Sequence, residues 1–197
     1  GIMGSAVEYT RAGGKIVRNE KIGSKAKKLA YELGKEIARH NLILVNGACT
    51  GIPYEATKGA KEHDGFVVGI SPAEDLYEHI YDYKFPTKYY DLIIYTGFGF
   101  KGRNVVNVSN CDGVIIVAGR VGTLNEFTIA YDQGQIIGVM EGSGGIADHI
   151  RHIVRDMNKN TGAIVIYDKT PHKLVKKLLK AIDKRIVKEK LGKILLD

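Results

Sequence analysis

The feature that most restricts this chain is a series of short, uninterrupted apolar runs. They are LILV at 42–45, FVVGI at 66–70, LIIY at 92–95, GVIIV at 113–117, IIGVM at 136–140 and AIVIY at 163–167. Each is too short for a stable helix and rich in β-branched residues. A strand without polar alternation must be buried on both faces, the condition of a parallel sheet covered by helices. The opening segment GIMGSA reads as a seventh strand. Helical patterns lie between the runs. Residues 24–40 carry Ala26, Leu29, Ala30, Leu33, Ile37 and Ala38 on one stripe, and 54–63 follows Pro53, which a first helical turn tolerates. Further helices are expected at 101–110, at 123–133 before Gly134, at 146–157 and at 171–190, with a weaker amphipathic stretch at 73–83. The alternation predicts an α/β fold: a Rossmann-like, doubly wound, mostly parallel sheet of about seven strands with helices on both faces.

The 197 residues suffice for one sizeable core, so a single nucleotide-binding domain over 1–197 is expected, ending in a basic helix at about 171–190. Apolar residues at 44% and charged residues at 26% argue against disorder. No apolar run approaches the roughly 20 residues that span a bilayer, and no secretory signal is visible, so a cytoplasmic protein without membrane attachment is expected. The chain opens at Gly1 in an apolar segment, and a few residues or a removed tag are expected ahead of it. Cys49 and Cys111 are far apart and read as two reduced small side chains. His149 and His152 stand at i, i+3 without a third ligand, so neither a metal nor another cofactor is expected. The net charge of +7 is concentrated: residues 169–193 hold ten Lys or Arg against Asp183 and Glu189. Leu174, Leu178, Ala181, Ile182 and Ile186 recur there at helical spacing, with no aromatic among the charges. The segment therefore reads as a terminal helix with a solvated Lys face, and nucleic acid is not the expected partner.

In a doubly wound sheet, ligands bind beyond the carboxyl ends of the strands. The segments following the strands here are Gly4-Ser5-Ala6, 46–51 (NGACTG), 96–100 (TGFGF), 118–123 (AGRVGT) and 141–145 (EGSGG), nearly all glycine-rich. Glycine lets backbone N–H groups approach a ligand closely. The sharpest segment is GRVGTLNE, Gly119 to Glu126. It follows a strand and opens a helix, so the amides of Gly122, Thr123 and Leu124 are expected to bind phosphate with the help of the helix dipole and the Thr123 hydroxyl. The same spacing, T-x-x-E from Thr123 to Glu126, is also that of a capping box. Tyr89, Tyr90, Phe98 and Phe100 flank this face and either stack on a base or pack.

Residues 102–126, GRNVVNVSNCDGVIIVAGRVGTLNE, resemble the core of the Lonely Guy family of nucleotide phosphoribohydrolases. That family's pattern is an arginine on a short helix, a strand, then P-G-G-x-G-T-x-x-E. Arg103 falls on the arginine; Gly119, Gly122, Thr123 and Glu126 fall on the second motif. The loop from Asn46 to Ile52 is similar to the family's earlier G-G-G-x-x-G-L. The resemblance covers roughly residues 1 to 160. It implies hydrolysis of the N-glycosidic bond of a nucleoside 5′-monophosphate, with Glu126 and Arg103 catalytic. Gly4, Ser5, Gly47, Thr50, Gly51, Gly119, Arg120, Gly122 and Thr123 would hold phosphate and ribose, and a homodimer or higher homo-oligomer would form. The chain departs from the pattern at Ala118 and Arg120, which replace the proline and second glycine, at Asn104, where the enzymes carry lysine, and at Ala48, which replaces a loop glycine. These departures favour an alternative in which the protein carries or senses a nucleotide or a molybdopterin-type cofactor without turnover, as the related molybdenum cofactor carrier proteins do. A Rossmann dehydrogenase is disfavoured: G-x-G-x-x-G is absent after the first strand, and no acidic residue follows the second.

Overall fold

The computed structural model describes residues 1–6, 8–12, 15–19 and 23–194, with side chains described for 1–6 and 23–188. Seven parallel strands form the body: β1 (Ile2–Gly4), β4 (Leu44–Asn46), β5 (Val67–Ser71), β6 (Leu92–Tyr95), β7 (Val114–Val117), β8 (Ile136–Met140) and β9 (Ile164–Asp168). They are hydrogen-bonded as two sheets, in the orders β1-β7-β8-β9 and β4-β5-β6. The register aligns Ile2 with Ile115, Val114 with Ile137, Ile136 with Ile164, Leu44 with Val67 and Val68 with Leu92. β1 and β4 lie side by side without a ladder between them. The chain therefore winds outward through β4, β5 and β6 and returns past β1 to build β7, β8 and β9 on its other flank. Loops following β1 and β7 diverge at this reversal, which is where the fold leaves a crevice.

The apolar runs are explained by two cores. Ile2, Ile115, Val117, Ile136 and Met140 face one way, onto α1 (Ser24–Arg39), α2 (Ile52–Lys61) and α6 (Pro171–Ile194). Their sequence neighbours Met3, Val114, Ile116, Ile137 and Val139 face the other way, onto α3 (Gly99–Ser109), α4 (Val121–Asp132) and α5 (Ile150–Met157). Alternation still operates along each strand, but both sides are apolar, so no polar residue marks it. Phe127 and Ile150 are fully buried in the second core, each contributing about 1.5–3 kcal/mol of transfer free energy.

Several details depart from the sequence expectations. β6 is an edge strand whose Leu92 and Ile94 remain 49% and 44% exposed; among the described residues its substantial packing is against β5. Within residues 73–83 the helical part is confined to 76–82, whose last five residues, Glu78–Asp82, form a π turn organised around a fully buried His79. The His79 ring bonds Ser71 Oγ at 2.9 Å and the Pro86 carbonyl at 3.2 Å, and burial holds its pKa below the usual histidine value. The hairpin β2 (Glu8–Ala12) and β3 (Lys15–Asn19) has no counterpart in the apolar-run reading. Its antiparallel register closes with Ala12 opposite Lys15. Ahead of α5, a short 3-10 turn spans Gly145–His149. In α6, Leu174 and Leu178 are buried while Ile186 is 43% exposed, so the apolar stripe leaves the core in the helix's second half. The expected basic side chains at 190 and 193, and Glu189, lie outside the described ones. No described helix is long and apolar enough to cross a membrane.

Candidate functional site

A cavity of about 350 Å³ opens at the carboxyl ends of β1, β4 and β7, within the range of small-ligand pockets. Five segments wall it: Gly4-Ser5-Ala6 at the end of β1, Gly47 and Cys49 after β4, Pro53 in the first turn of α2, the first turns of α3, and the start of α4.

Arg103 and Glu126 meet at its floor. α3 brings Arg103 and α4 brings Glu126, placing Arg103 Nη1 3.7 Å from Glu126 Oε1, with both side chains under 10% exposed. Asn107, one helical turn beyond Arg103, donates from Nδ2 to the same Oε1 at 3.4 Å. Burial pushes the Glu126 carboxyl up to about 7, against the guanidinium and the amide, which both favour the carboxylate. Among the described residues, Arg103 Nε and Asn107 Oδ1 are buried without a hydrogen-bond partner. Such groups usually find partners, and an occupant of the cavity can supply one.

Gly47 admits this arrangement. A Cβ there would lie 1.9 Å from Arg103 Nη1 and 2.6 Å from its Cζ, so the guanidinium rests directly on bare backbone. The loop is anchored from below by Asn46, which is fully buried. Asn46 Nδ2 donates to Thr57 Oγ1 at 2.8 Å, while its Oδ1 accepts from the Ala48 amide at 3.0 Å and from the Tyr90 hydroxyl at 3.1 Å. Cys49 follows, buried on the cavity wall, and burial raises its thiol to about 11, so it is a neutral lining group at pH 7.

On the opposite wall α4 begins at Val121, with an extended Arg120 at its N-cap and no side-chain cap. Its first intrahelical bond runs from the Leu124 amide to the Arg120 carbonyl at 2.9 Å. Two expectations are thereby corrected. Leu124 is tied into the helix, leaving Val121, Gly122 and Thr123 as the amides ahead of the first bond. Thr123 is the third helical residue rather than the cap, so Thr123 to Glu126 is not a capping box. Glu126 points inward to Arg103 instead. The turn before α4 is braced from the β8 loop: Ser143 Oγ accepts from the Ala118 amide at 2.8 Å and donates to the Met140 carbonyl at 2.6 Å. The Ile146 and Ala147 amides bond the Gly119 and Ala118 carbonyls at 3.0 and 2.9 Å. Ala118 and Gly119 both have positive φ, 48° and 93°, so an alanine stands where glycine is favoured.

Of the residues singled out from sequence, Gly4, Ser5, Gly47, Arg103, Arg120, Gly122, Thr123 and Glu126 border the cavity, while Thr50, Gly51 and Gly119 do not. Gly51 caps α2 with φ 86°, and Gly119 backs Thr123. Asn104 bonds Asn125 at 2.9 Å, linking α3 to α4. Phe100 borders the cavity and packs edge-on against Tyr83 and Phe85; Phe98 and Tyr89 are outside, and Tyr90 is committed to Asn46. Sequence reasoning passed over Asn107, Asn46, Lys101 and Ser143, whose roles depend on partners distant in the chain. Lys101, Arg103 and Arg120 set three cations against one carboxyl on the wall, a field suited to an anionic ligand. Cys49 and Glu126 are the wall's only Cys, His or acidic residues among those described, too few to hold a metal. A larger cavity, about 760 Å³, lies elsewhere, between β9 and the Lys-rich part of α6, away from the glycine loops.

The sequence profile of the SLOG cluster4 family matches residues 1–175. An uncharacterized protein of Archaeoglobus fulgidus is 35% identical over 109 residues, a match spanning 55% of this chain and 66% of that protein, just short of two thirds of its length. The solved structure of TM1055 superposes with a TM-score of 0.73 at 23% identity, covering 91% of this chain and 96% of that one. The molybdenum cofactor binding protein from the phototrophic bacterium Rippkaea orientalis superposes at 0.67 and 24% identity, covering 92% and 94%. At these identities the two structures establish a shared fold.

Proposed function

The chain belongs to the SLOG cluster4 family, and from that premise we propose that it binds a nucleoside 5′-monophosphate in the β1/β4/β7 crevice and hydrolyses its N-glycosidic bond. The observation that carries this reading is the buried Arg103–Glu126 pair, 3.7 Å apart, opposite the amino end of α4. The phosphate is held by the amides of Val121, Gly122 and Thr123 with Arg120 and Lys101 supplying positive charge. That places the ribose over Glu126 and the base towards Phe100. As the bond from C1′ to the base nitrogen breaks, its electron pair leaves with the base and C1′ becomes cationic. The Glu126 carboxylate stabilises that cation and takes a proton from the attacking water, whose oxygen bonds C1′. Arg103 orients Glu126 and donates a hydrogen bond to the departing base, whose nitrogen then takes up the proton that Glu126 removed from water, which regenerates the carboxylate. The products are free base and ribose 5-phosphate.

A carrier without turnover is the second reading. Its support is Arg120 on the wall where the Lonely Guy pattern has glycine, and the fold shared with a molybdenum cofactor binding protein. Incubation with a panel of nucleoside 5′-monophosphates, with chromatography of released base, separates the two. Release that disappears in Glu126→Gln is expected. No release from any nucleotide, together with thermal stabilisation by one of them, would leave the carrier.

A further inference from the structure

We infer that Glu36, His40 and His172 form a binding site for one divalent transition-metal ion of the Zn²⁺ class, which clamps α6 onto α1. The site lies on the seam between these helices and is independent of the nucleotide crevice. Glu36 and His40 stand one turn apart at the end of α1, so their side chains share a helix face. His172 is the second residue of α6, which packs against α1. One ligand atom from each of the three lies within 4.8 Å of the others. Tetrahedral coordination with bonds of about 2.0–2.2 Å needs donors roughly 3.4 Å apart, a closure that side-chain rotation supplies. Both histidines are exposed and able to turn, whereas Glu36 is fixed, being 7% exposed.

The fixed carboxylate already attracts what a cation would replace. His172 Nδ1 is 2.9 Å from Glu36 Oε2, and Arg39 Nη1 donates to Oε1 at 2.7 Å. Metal would enter at Oε2, leaving the Arg39 contact on Oε1 intact as an outer partner that orients the carboxylate. Two imidazoles and one carboxylate are a common zinc donor set, with the fourth position left to water. Glu36 and His172 lie 136 positions apart in sequence, so metal ties the C-terminal helix to the first one.

The test uses full-length protein free of any histidine tag, stripped with chelator and titrated with Co²⁺. One equivalent is expected to give the intense visible bands of four-coordinate cobalt, displaced by Zn²⁺, and to raise the unfolding temperature. His40→Ala and His172→Ala should each weaken binding by more than the roughly 10- to 100-fold that loss of an outer-shell partner costs. His172→Cys should retain binding and add a thiolate-to-cobalt band, and circular dichroism should show every variant folded. His149→Ala/His152→Ala should bind as the wild type does. Absence of visible bands and of any thermal shift in the wild type at excess metal would overturn the site. So would full binding by the His40→Ala/His172→Ala double variant, or loss only when His149 and His152 are removed.

Discussion

Glu126 and Arg103 each make the other tolerable. A carboxylate buried to this degree is raised to about 7 even beside a guanidinium, so desolvation outweighs the pairing. The consequence for stability has a definite sign. Glu126 binds its proton more tightly folded than unfolded, where its ordinary value is 4.5. Stability therefore falls as pH rises from about 4.5 to about 7 and levels off above, the full loss being about 3 kcal/mol. Urea unfolding of the wild type should show this decline, and Glu126→Gln should flatten it. Catalysis runs the other way: base release needs the carboxylate and should climb with pH through about 7. In Glu126→Gln it should fall by roughly 10²- to 10⁴-fold. Gly47 is tested by Gly47→Ala. The added Cβ, 1.9 Å from Arg103 Nη1, must expel the guanidinium, so nucleotide-induced stabilisation should vanish.

Among the elements, α4 depends on a brace supplied from a different strand. The Ser143 hydroxyl holds the buried Ala118 amide at 2.8 Å, just where φ is positive and the turn least favourable for alanine. Ser143→Ala leaves that amide unpaired and should cost about 1–3 kcal/mol in denaturant unfolding. Because the same turn aims the first amides of α4, the variant should also bind nucleotide more weakly. The second anchor, Asn46 with Thr57 and Tyr90, serves the loop at Gly47 in the same manner. The first brace ties the turn before α4 to the loop after β8, and the second ties the end of β4 to α2 and to the segment ahead of β6, so each wall of the crevice is fixed by a separate element.

For the molecule as a whole, the proposal predicts a coupling between ligand and global stability. A ligand at 100 times its dissociation constant adds about 2.7 kcal/mol. For a chain of this size that raises the unfolding temperature by roughly 5–10 °C, readable by scanning calorimetry. The basic half of α6 sets a further expectation. Leu174, Val175 and Leu178 are buried while Lys180, Lys184 and Lys188 stay exposed, and Lys177 is engaged by Asp168 at 2.7 Å. A solvated cationic face of this kind contributes little to folding, so charge-neutral substitution of the three exposed lysines should shift stability by under about 0.5 kcal/mol.

The class of the fold and the face on which its crevice lies follow from the order of residues along the chain. Uninterrupted apolar runs such as GVIIV and IIGVM leave a strand no polar side, and glycine is concentrated in the loops beyond their carboxyl ends. Arg103 and Glu126 were also legible, through the spacing that carries the family resemblance. The hairpin from Glu8 to Asn19 was not, because EYTRA and KIVRN have no continuous apolar run, although Gly13-Gly14 between them is a turn signal. Residues 73–83 are helical only over 76–82, where a buried His79 bonded to Ser71 and Pro86 organises a π turn. That Glu126 faces Arg103 rather than capping its own helix is set by packing, since the two readings share one spacing and differ in where α4 begins. Tertiary structure also brought together Asn107 with Glu126, Ser143 with Ala118, and Glu36 with His172. Each contact joins separate elements, and local periodicity carries no record of which elements the winding of the chain will make neighbours.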